Sequence, residues 1–332
     1  MTLRCDDHGF TIGAAVLRWD ELLAVGIRTT ADGPVADDCF WQFLLRAGTC
    51  LELPSALLHG DALGALFERL PGADLGKVVA AMGCVEERVF RIWHAEESAW
   101  PWDGARLGTR FAALIERLGG DMRRAPEAFE RLEAAWSAPQ RRYHDREHLL
   151  DCLRELDAAP VEHACADIAE LALWYHDAIY EPGQRDSEER SAQLLLEATA
   201  QLGVRDERAR AAARSVRATA HGAGQPPSDP SRDPCVDLVL DVDLAILGRD
   251  ALRFLEFEYA VAEEYARFPR LQFILARGRF LEGLIAAPIY RTAHFRQRYE
   301  ARARANLAAL LGSQRYRLHR GASRLRRWFV RD

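Results

Sequence analysis

Leu173-Trp-Tyr-His-Asp-Ala-Ile-Tyr180 sets an imidazole beside a carboxylate directly after an apolar segment of helical spacing, Ala164–Tyr175. Two further segments carry the same kinds of side chain. Upstream, Arg141-Arg-Tyr-His-Asp-Arg-Glu-His-Leu-Leu150 spaces His144 and His148 four residues apart, which puts both on one face of a helix. Downstream, Asp241 and Asp243 interrupt the apolar run Leu238-Val-Leu-Asp-Val-Asp-Leu-Ala-Ile-Leu-Gly248, where a buried carboxylate is costly unless something positive meets it. Each segment also has a plain structural reading. A lone histidine on an amphipathic helix is ordinarily surface or core, a His-Asp pair at a helix end can be a cap, and an Asp in an apolar helix can face an arginine. Together, two His and two Asp match the nitrogen and oxygen donors of a divalent metal site with positions left for water.

Working outward, almost every segment from Leu107 onward has helical period. Phe111–Leu118, Ala128–Ala135, Arg146–Leu156, Ala164–Tyr175, Ser187–Leu202, Glu207–Thr219, Ala251–Tyr265, Leu271–Ala286 and His294–Leu311 predict an all-α bundle over residues 107–312. One loop with four prolines, Gly222–Pro234, breaks it. Residues 1–95 read differently. Phe10–Leu17, Leu22–Thr29, Phe40–Leu45 and Cys50–Leu53 are short runs bounded by turn residues and predict a small antiparallel sheet. Leu63, Leu66, Phe67 and Leu70 predict a helix, and Val78, Val79, Met82, Val85, Val89, Phe90 and Trp93 one or two more. The expected fold is thus a small α+β domain, a linker over 96–106, the helical bundle, and a basic C-terminal extension over 313–332.

Composition narrows the chemistry. The 332 residues carry a formal charge of −6 and 28% charged side chains, an ordinary soluble balance. Lys77 is the single lysine among 44 basic residues, so the rest are arginine. Its context, Gly72-Ala-Asp-Leu-Gly-Lys-Val78, has no following Ser or Thr and is no P-loop, and lysine Schiff-base chemistry has one place to occur. No run reaches the roughly 18 apolar residues of a membrane span, and Met1-Thr-Leu-Arg-Cys-Asp-Asp-His8 lacks the pattern of a signal peptide, so a cytoplasmic protein without membrane partners is expected. Seven cysteines without a Cys-x-x-Cys pair suit reduced buried thiols.

His148, His176-Asp177 and Asp243 follow the order H…HD…D, and in this the chain resembles the HD superfamily of metal-dependent phosphohydrolases. Tyr143-His144-x-x-x-His148 resembles the first motif of the cyclic-nucleotide phosphodiesterases. Arg141-x-Tyr-His, Trp174–Tyr180, Ser187-Glu-Glu-Arg-Ser-Ala192, Ala218-Thr-Ala-His221, Asp241–Gly248 and Ala303-Arg-Ala-Asn-Leu307 look like a bacterial group described only as predicted metal-dependent HD-superfamily phosphohydrolases. The resemblance covers roughly residues 107–311 and leaves the N-terminal domain outside it.

The resemblance implies a metal held by His148, His176, Asp177 and Asp243, with one or two ions of Mn, Fe, Zn, Co or Mg. The register of the HD pattern favours Asp243 over Asp241 as the last ligand. Asp177 would also accept a proton from the attacking water, Glu188 would orient that water, and His144 would protonate the leaving oxygen. The alternative for His144 is a hydrogen-bonded support of a ligand carboxylate. His221 lines the site, with a metal role left open. With lysine absent from the bundle, phosphate falls to arginine; Arg141, Arg190 and Arg279 are the candidates, with Tyr265 and Tyr290 available to stack on a base or to pack. The expected activity is hydrolysis of a phosphate ester or anhydride, the partner a small phosphorylated substrate such as a nucleotide, and a homo-oligomer is compatible with it. Two rivals stand beside it: a non-catalytic nucleotide- and metal-binding regulatory module, and a protein acting on nucleic acid through the basic residues of Gln314–Asp332.

Overall fold

The computed structural model describes residues 3–5, 8–12, 15–31, 37–58, 60–95, 104–220, 233–317, 319 and 321. The chain divides into two units, Met1–Pro101 with Asp250–Tyr259, and Trp102–Arg249 with Ala260–Asp332.

The first unit holds two antiparallel sheets. A three-stranded one has the order β1 (Leu3–Cys5), β2 (Gly9–Ile12), β3 (Ala15–Arg18). A four-stranded one is built from β4 (Leu22–Thr29), β5 (Cys39–Leu45), β6 (Cys50–Pro54) and β7 (Arg88–His94) in the order β6-β5-β4-β7. Helices α1 (Asp61–Glu68) and α2 (Leu75–Met82) fall between β6 and β7. The single run expected over Phe10–Leu17 is two strands of a hairpin, Gly9 pairing Arg18 and Phe10 pairing Leu17. The helical expectation for Val85–Trp93 is corrected as well: α2 stops at Gly83, and Val89 and Phe90 pair with Arg28 and Ile27 of β4. Short apolar runs fit either period, and here the pairing edge of β4 decides.

Period-2 alternation gives the four-stranded sheet two apolar faces. Val25, Ile27, Trp41 and Phe43 lie in the larger core, packed by α1 and α2 residues such as Leu66 and Ala81. Ala24, Leu44 and Val89 face the opposite way and meet Leu252, with Leu255 and Tyr259 alongside. These come from α10 (Ala251–Glu264), which explains why Asp250–Tyr259 belongs to this unit and not to the bundle, where the spacing of residues 107–312 had put it. Gly26 allows the approach, since a Cβ there would stand 3.4 Å from a Leu252 methyl and 3.1 Å from the Phe90 carbonyl oxygen. The only lysine fastens the same contact. Lys77 Nζ lies 2.7 Å from Glu256 Oε1, and Arg91 and Arg253 approach the other oxygen at 3.6 and 3.0 Å. Burial works against the Glu256 carboxylate, but the three cations hold it at about 2.

Among its described residues, the second unit's regular secondary structure is all helical. It contains α3 (Gly104–Arg117), α4 (Ala125–Trp136), α5 (Arg146–Ala158), α6 (His163–Tyr175), α7 (Ser187–Leu202), α8 (Asp206–Ala218), α9 (Pro234–Asp243), the end of α10, α11 (Arg270–Ile285), α12 (Ala293–Phe295) and α13 (Ala301–Gly312). Helix α3 begins inside the segment expected as linker, so of 96–106 only 96–103 lie outside the described residues. The prolines at 226, 227 and 230 lie outside them too, as does most of the C-terminal extension.

Helix α6 is central, with Ala169–Tyr175 buried all round against α3, α5, α8 and α9. Its one buried acid, Glu170, receives Arg110 at 2.6 Å and Arg117 at 3.1 Å from α3. Trp136 Nε1–H donates to the Trp174 carbonyl at 3.0 Å, fixing α4 to the end of α6. Cys165 of α6 and Cys235 of α9 form a disulfide with Cα atoms 5.3 Å apart, which corrects the expectation of reduced thiols at these two positions. Packing of α6 on α9 joins residues 70 apart in sequence, a pairing that spacing alone does not show. Among the described residues, no helix is long and apolar enough to cross a membrane.

Candidate metal centre

Three local features aim the donors. Asp145 caps α5, accepting from the N–H groups of Glu147 and His148 at 2.9 and 3.3 Å, so His148 stands in the first turn with its ring turned inward. His176 ends α6 with its helical backbone, and its Nδ1 lies 2.9 Å from the Leu173 carbonyl oxygen. A carbonyl only accepts, so Nδ1 carries the hydrogen and, in the neutral ring, Nε2 presents a lone pair. Asp243 is the last residue of α9. Trp136 and Tyr143 pack on the two imidazoles, and His148 and His176 are 2% and 1% exposed.

The donors converge. His148 Nε2 and His176 Nε2 are 3.1 Å apart. Asp243 Oδ1 lies 3.3 Å from the first and 3.6 Å from the second, and Asp177 Oδ2 lies 3.8 and 3.2 Å from them. Metal bonds of about 2.0–2.2 Å leave neighbouring ligand atoms about 3.0–3.6 Å apart, a range that holds every distance here but the 3.8 Å between Asp177 and His148. His148, Cys152, His176 and Asp243 form a group that could hold a metal ion, one donor atom from each lying within 4.8 Å of the others. The electrostatics agree with an electron-rich pocket. Burial penalises a charged His176, yet Asp177 and Asp243 raise it well above its ordinary value, and Asp177, in turn, is held far below the carboxylate range by His176 and His144 against its own burial.

Beside this group stands a His–Glu pair. His144 Nδ1 is 2.7 Å from Glu264 Oε2, which also accepts from the Tyr180 hydroxyl at 2.9 Å. Glu264 Oε1 accepts the backbone N–H groups of Arg142, Tyr143 and His144 at 2.8, 2.9 and 3.1 Å. The His144 ring stacks on Tyr180 at 4.0 Å and lies 5.9 Å from the His148 ring. Burial opposes the His144 cation, but Asp177, Glu264 and Asp243 raise its pKa overall, while Glu264, despite burial, is held at about 2 by His144 and the backbone donors.

The other residues expected at the site are placed as follows. Asp241 is turned away, accepting from the N–H groups of Arg291 and Thr292 at 2.7 Å each. Arg141 is buried, and its guanidinium donates to the carbonyls of His144 at 2.6 Å and Ala178 at 3.1 Å, which ties the loop before α5 to the turn after His176. Arg190 is exposed and paired with Glu181 at 2.8 Å. Arg279 is exposed on α11 and folds back on the Leu275 carbonyl. Tyr265 packs on Phe268 and Phe273 and is half-buried, and buried Tyr290 packs on Phe295 and Tyr299. Glu188 is half-buried in the first turn of α7 and is not a member of the converging group. His221 lies outside the described residues.

Sequence reasoning missed Cys152, Tyr180 and Glu264. The first two carry a signal in hindsight, Cys152 four residues after His148 and Tyr180 three after Asp177. Glu264 carries none, 120 residues from His144. Comparisons with protein-family models, curated proteins and solved structures find no match to this chain.

Proposed function

We propose that this chain is a divalent-metal-dependent hydrolase of a phosphate ester or anhydride, acting on a nucleotide or similar small phosphorylated compound. The observation that carries the reading is the pairing of two buried imidazoles, Nε2 atoms 3.1 Å apart among carboxylate oxygens, with a His144–Glu264 pair one ring away. His148, His176, Asp243 and Asp177 would hold the ion. When bound, it supplies Lewis acidity that lowers the pKa of water toward neutrality and polarises a phosphoryl oxygen. Asp177, beside the two imidazoles, would accept the proton of the attacking water. His144, oriented at Nδ1 by Glu264, has Nε2 left to deliver a proton to the departing oxygen. Tyr180 and the three backbone N–H groups keep the Glu264 carboxylate fixed while His144 changes charge.

The test is metal analysis of the purified chain, followed by a phosphatase and nucleotide-hydrolysis screen with Mn, Mg, Co and Zn. Asp177→Ala should lose both metal and turnover. Full activity with stoichiometric metal in that variant would sink the assignment.

A further inference from the structure

We infer that the outward face of α2 is a self-association surface whose partner is a second copy of this chain. The inference concerns the first unit alone and is independent of the metal-centre reading. Helix α2 turns Ala81, with Val78 beside it, into the core of that unit. On its other side Leu75, Val79 and Met82 are 58%, 74% and 51% exposed, and their spacings of four and three residues line them along one ridge. Gly76, Ala80 and Gly83, each one position further on, are exposed too and form a groove of small residues beside that ridge. None of the six has a polar side chain. Gly83 is not demanded by its own chain, since its φ is −97° and a Cβ there would meet nothing closer than the Val79 carbonyl oxygen at 3.8 Å. Glycine weakens a helix, so the open groove is explained by something that enters it. A ridge beside a groove is self-complementary. Two copies related by a twofold axis each seat Leu75, Val79 and Met82 in the other's groove. The face offers no hydrogen bond or charge by which a different partner would be selected. With Val85, 78% exposed just past the helix, it presents roughly 500 Å² per copy. Two such faces bury about 1,000 Å², the lower limit of a specific interface, so the dimer is weak and reversible.

The experiment is sedimentation velocity of the full-length chain from about 1 to about 200 µM, which should show a monomer–dimer equilibrium with Kd on the order of 10 µM. Val79→Asp, in the middle of the ridge, should weaken the dimer about tenfold or more with far-ultraviolet circular dichroism unchanged. Ala80→Leu should weaken it as well, because it fills the groove while adding apolar surface; general stickiness would give the opposite result. An equal mixture of Val79→Asp and Val79→Lys should form a dimer that neither forms alone, since the twofold brings the two side chains at position 79 near each other. Amide exchange across residues 75–83 of the wild type, which needs no variant to fold, should slow as the concentration rises. A chain that stays monomeric throughout overturns the proposal and leaves the face to the second unit or to a different protein. A dimer that survives Val79→Asp, or that forms with no change of exchange over 75–83, overturns α2 as its surface.

Discussion

Glu264→Gln tests the pairing that links α10 to the candidate centre. Glutamine preserves the shape and one oxygen for the backbone N–H groups of Arg142, Tyr143 and His144, but removes the charge facing His144 Nδ1. Burial raises the carboxyl, yet His144 and the backbone donors hold it at about 2 against an ordinary 4.5. A depressed acid contributes stability that is present above its unfolded pKa and lost as pH falls through its folded one. For these two values the contribution is about 3 kcal/mol at pH 7 and about 1 kcal/mol less by pH 3.5, fading further toward pH 2. Glu264 is 8% exposed, so solvent screening removes little of it. Urea denaturation of wild type and variant at matched pH values measures the difference. In the proposed reaction the same change should slow turnover about ten- to hundredfold, the worth of a hydrogen bond to a charged group. A destabilisation of equal size at pH 7 and pH 3.5 would refute the electrostatic account and reduce Glu264 to a packing residue.

Three further outcomes follow from the geometry. Asp241→Asn should cost about 1–3 kcal/mol by turning an amide toward the Arg291 and Thr292 N–H groups while leaving metal content unchanged; Asp243→Asn should lose metal, both read by elemental analysis beside thermal melts. Lys77→Met should cost about 1–3 kcal/mol and speed amide exchange in α2 and β7, because Glu256 loses the nearest of its three cations. Cys165→Ser with Cys235→Ser should lower stability by about 2–4 kcal/mol in non-reducing urea melts, as expected for a cross-link spanning 70 residues, and the difference should vanish under reductant.

What the sequence made legible were features written in short-range spacing. The apolar run of α6 ending in His176-Asp177, the four-residue interval between His144 and His148, and Asp145 as the cap of α5 are all local, and the helical bundle follows from repeated 3.6-residue periods. The Asp241 and Asp243 alternatives differ by two residues, hence by more than half a helical turn, so one reaches the pocket and the other turns to the Arg291–Thr292 backbone. Features fixed by packing between distant segments stayed hidden. Leu252, Leu255 and Tyr259 have ordinary helical spacing, and nothing local says that they cover the β4 sheet and not the bundle. Val89–Trp93 has too few residues to tell a strand from a helix until β4 offers an edge. Glu264 and the Cys165–Cys235 pair are contacts made by the fold alone.

The arginines bear on the proposed chemistry in a way their number conceals. Forty-three guanidinium groups suggest that phosphate would be gripped by a fork, yet Arg141 lies against the backbone, Arg190 pairs with Glu181 and Arg279 returns to its own helix. Arg141 acts on the site through the backbone. Burial lowers its pKa, but Asp177 and Glu264 act to raise it, so it contributes positive charge beside the carboxylates without offering its fork to a ligand. Its two carbonyl contacts join the segment carrying His144 to the turn carrying Asp177, the proposed proton donor and proton acceptor. If the reaction is phosphoryl hydrolysis, Arg141 holds the segment of the proposed proton donor against the turn of the proposed acceptor. Replacing Arg141 by lysine keeps the charge but not the two-pronged link, so the loss should appear in kcat more than in KM.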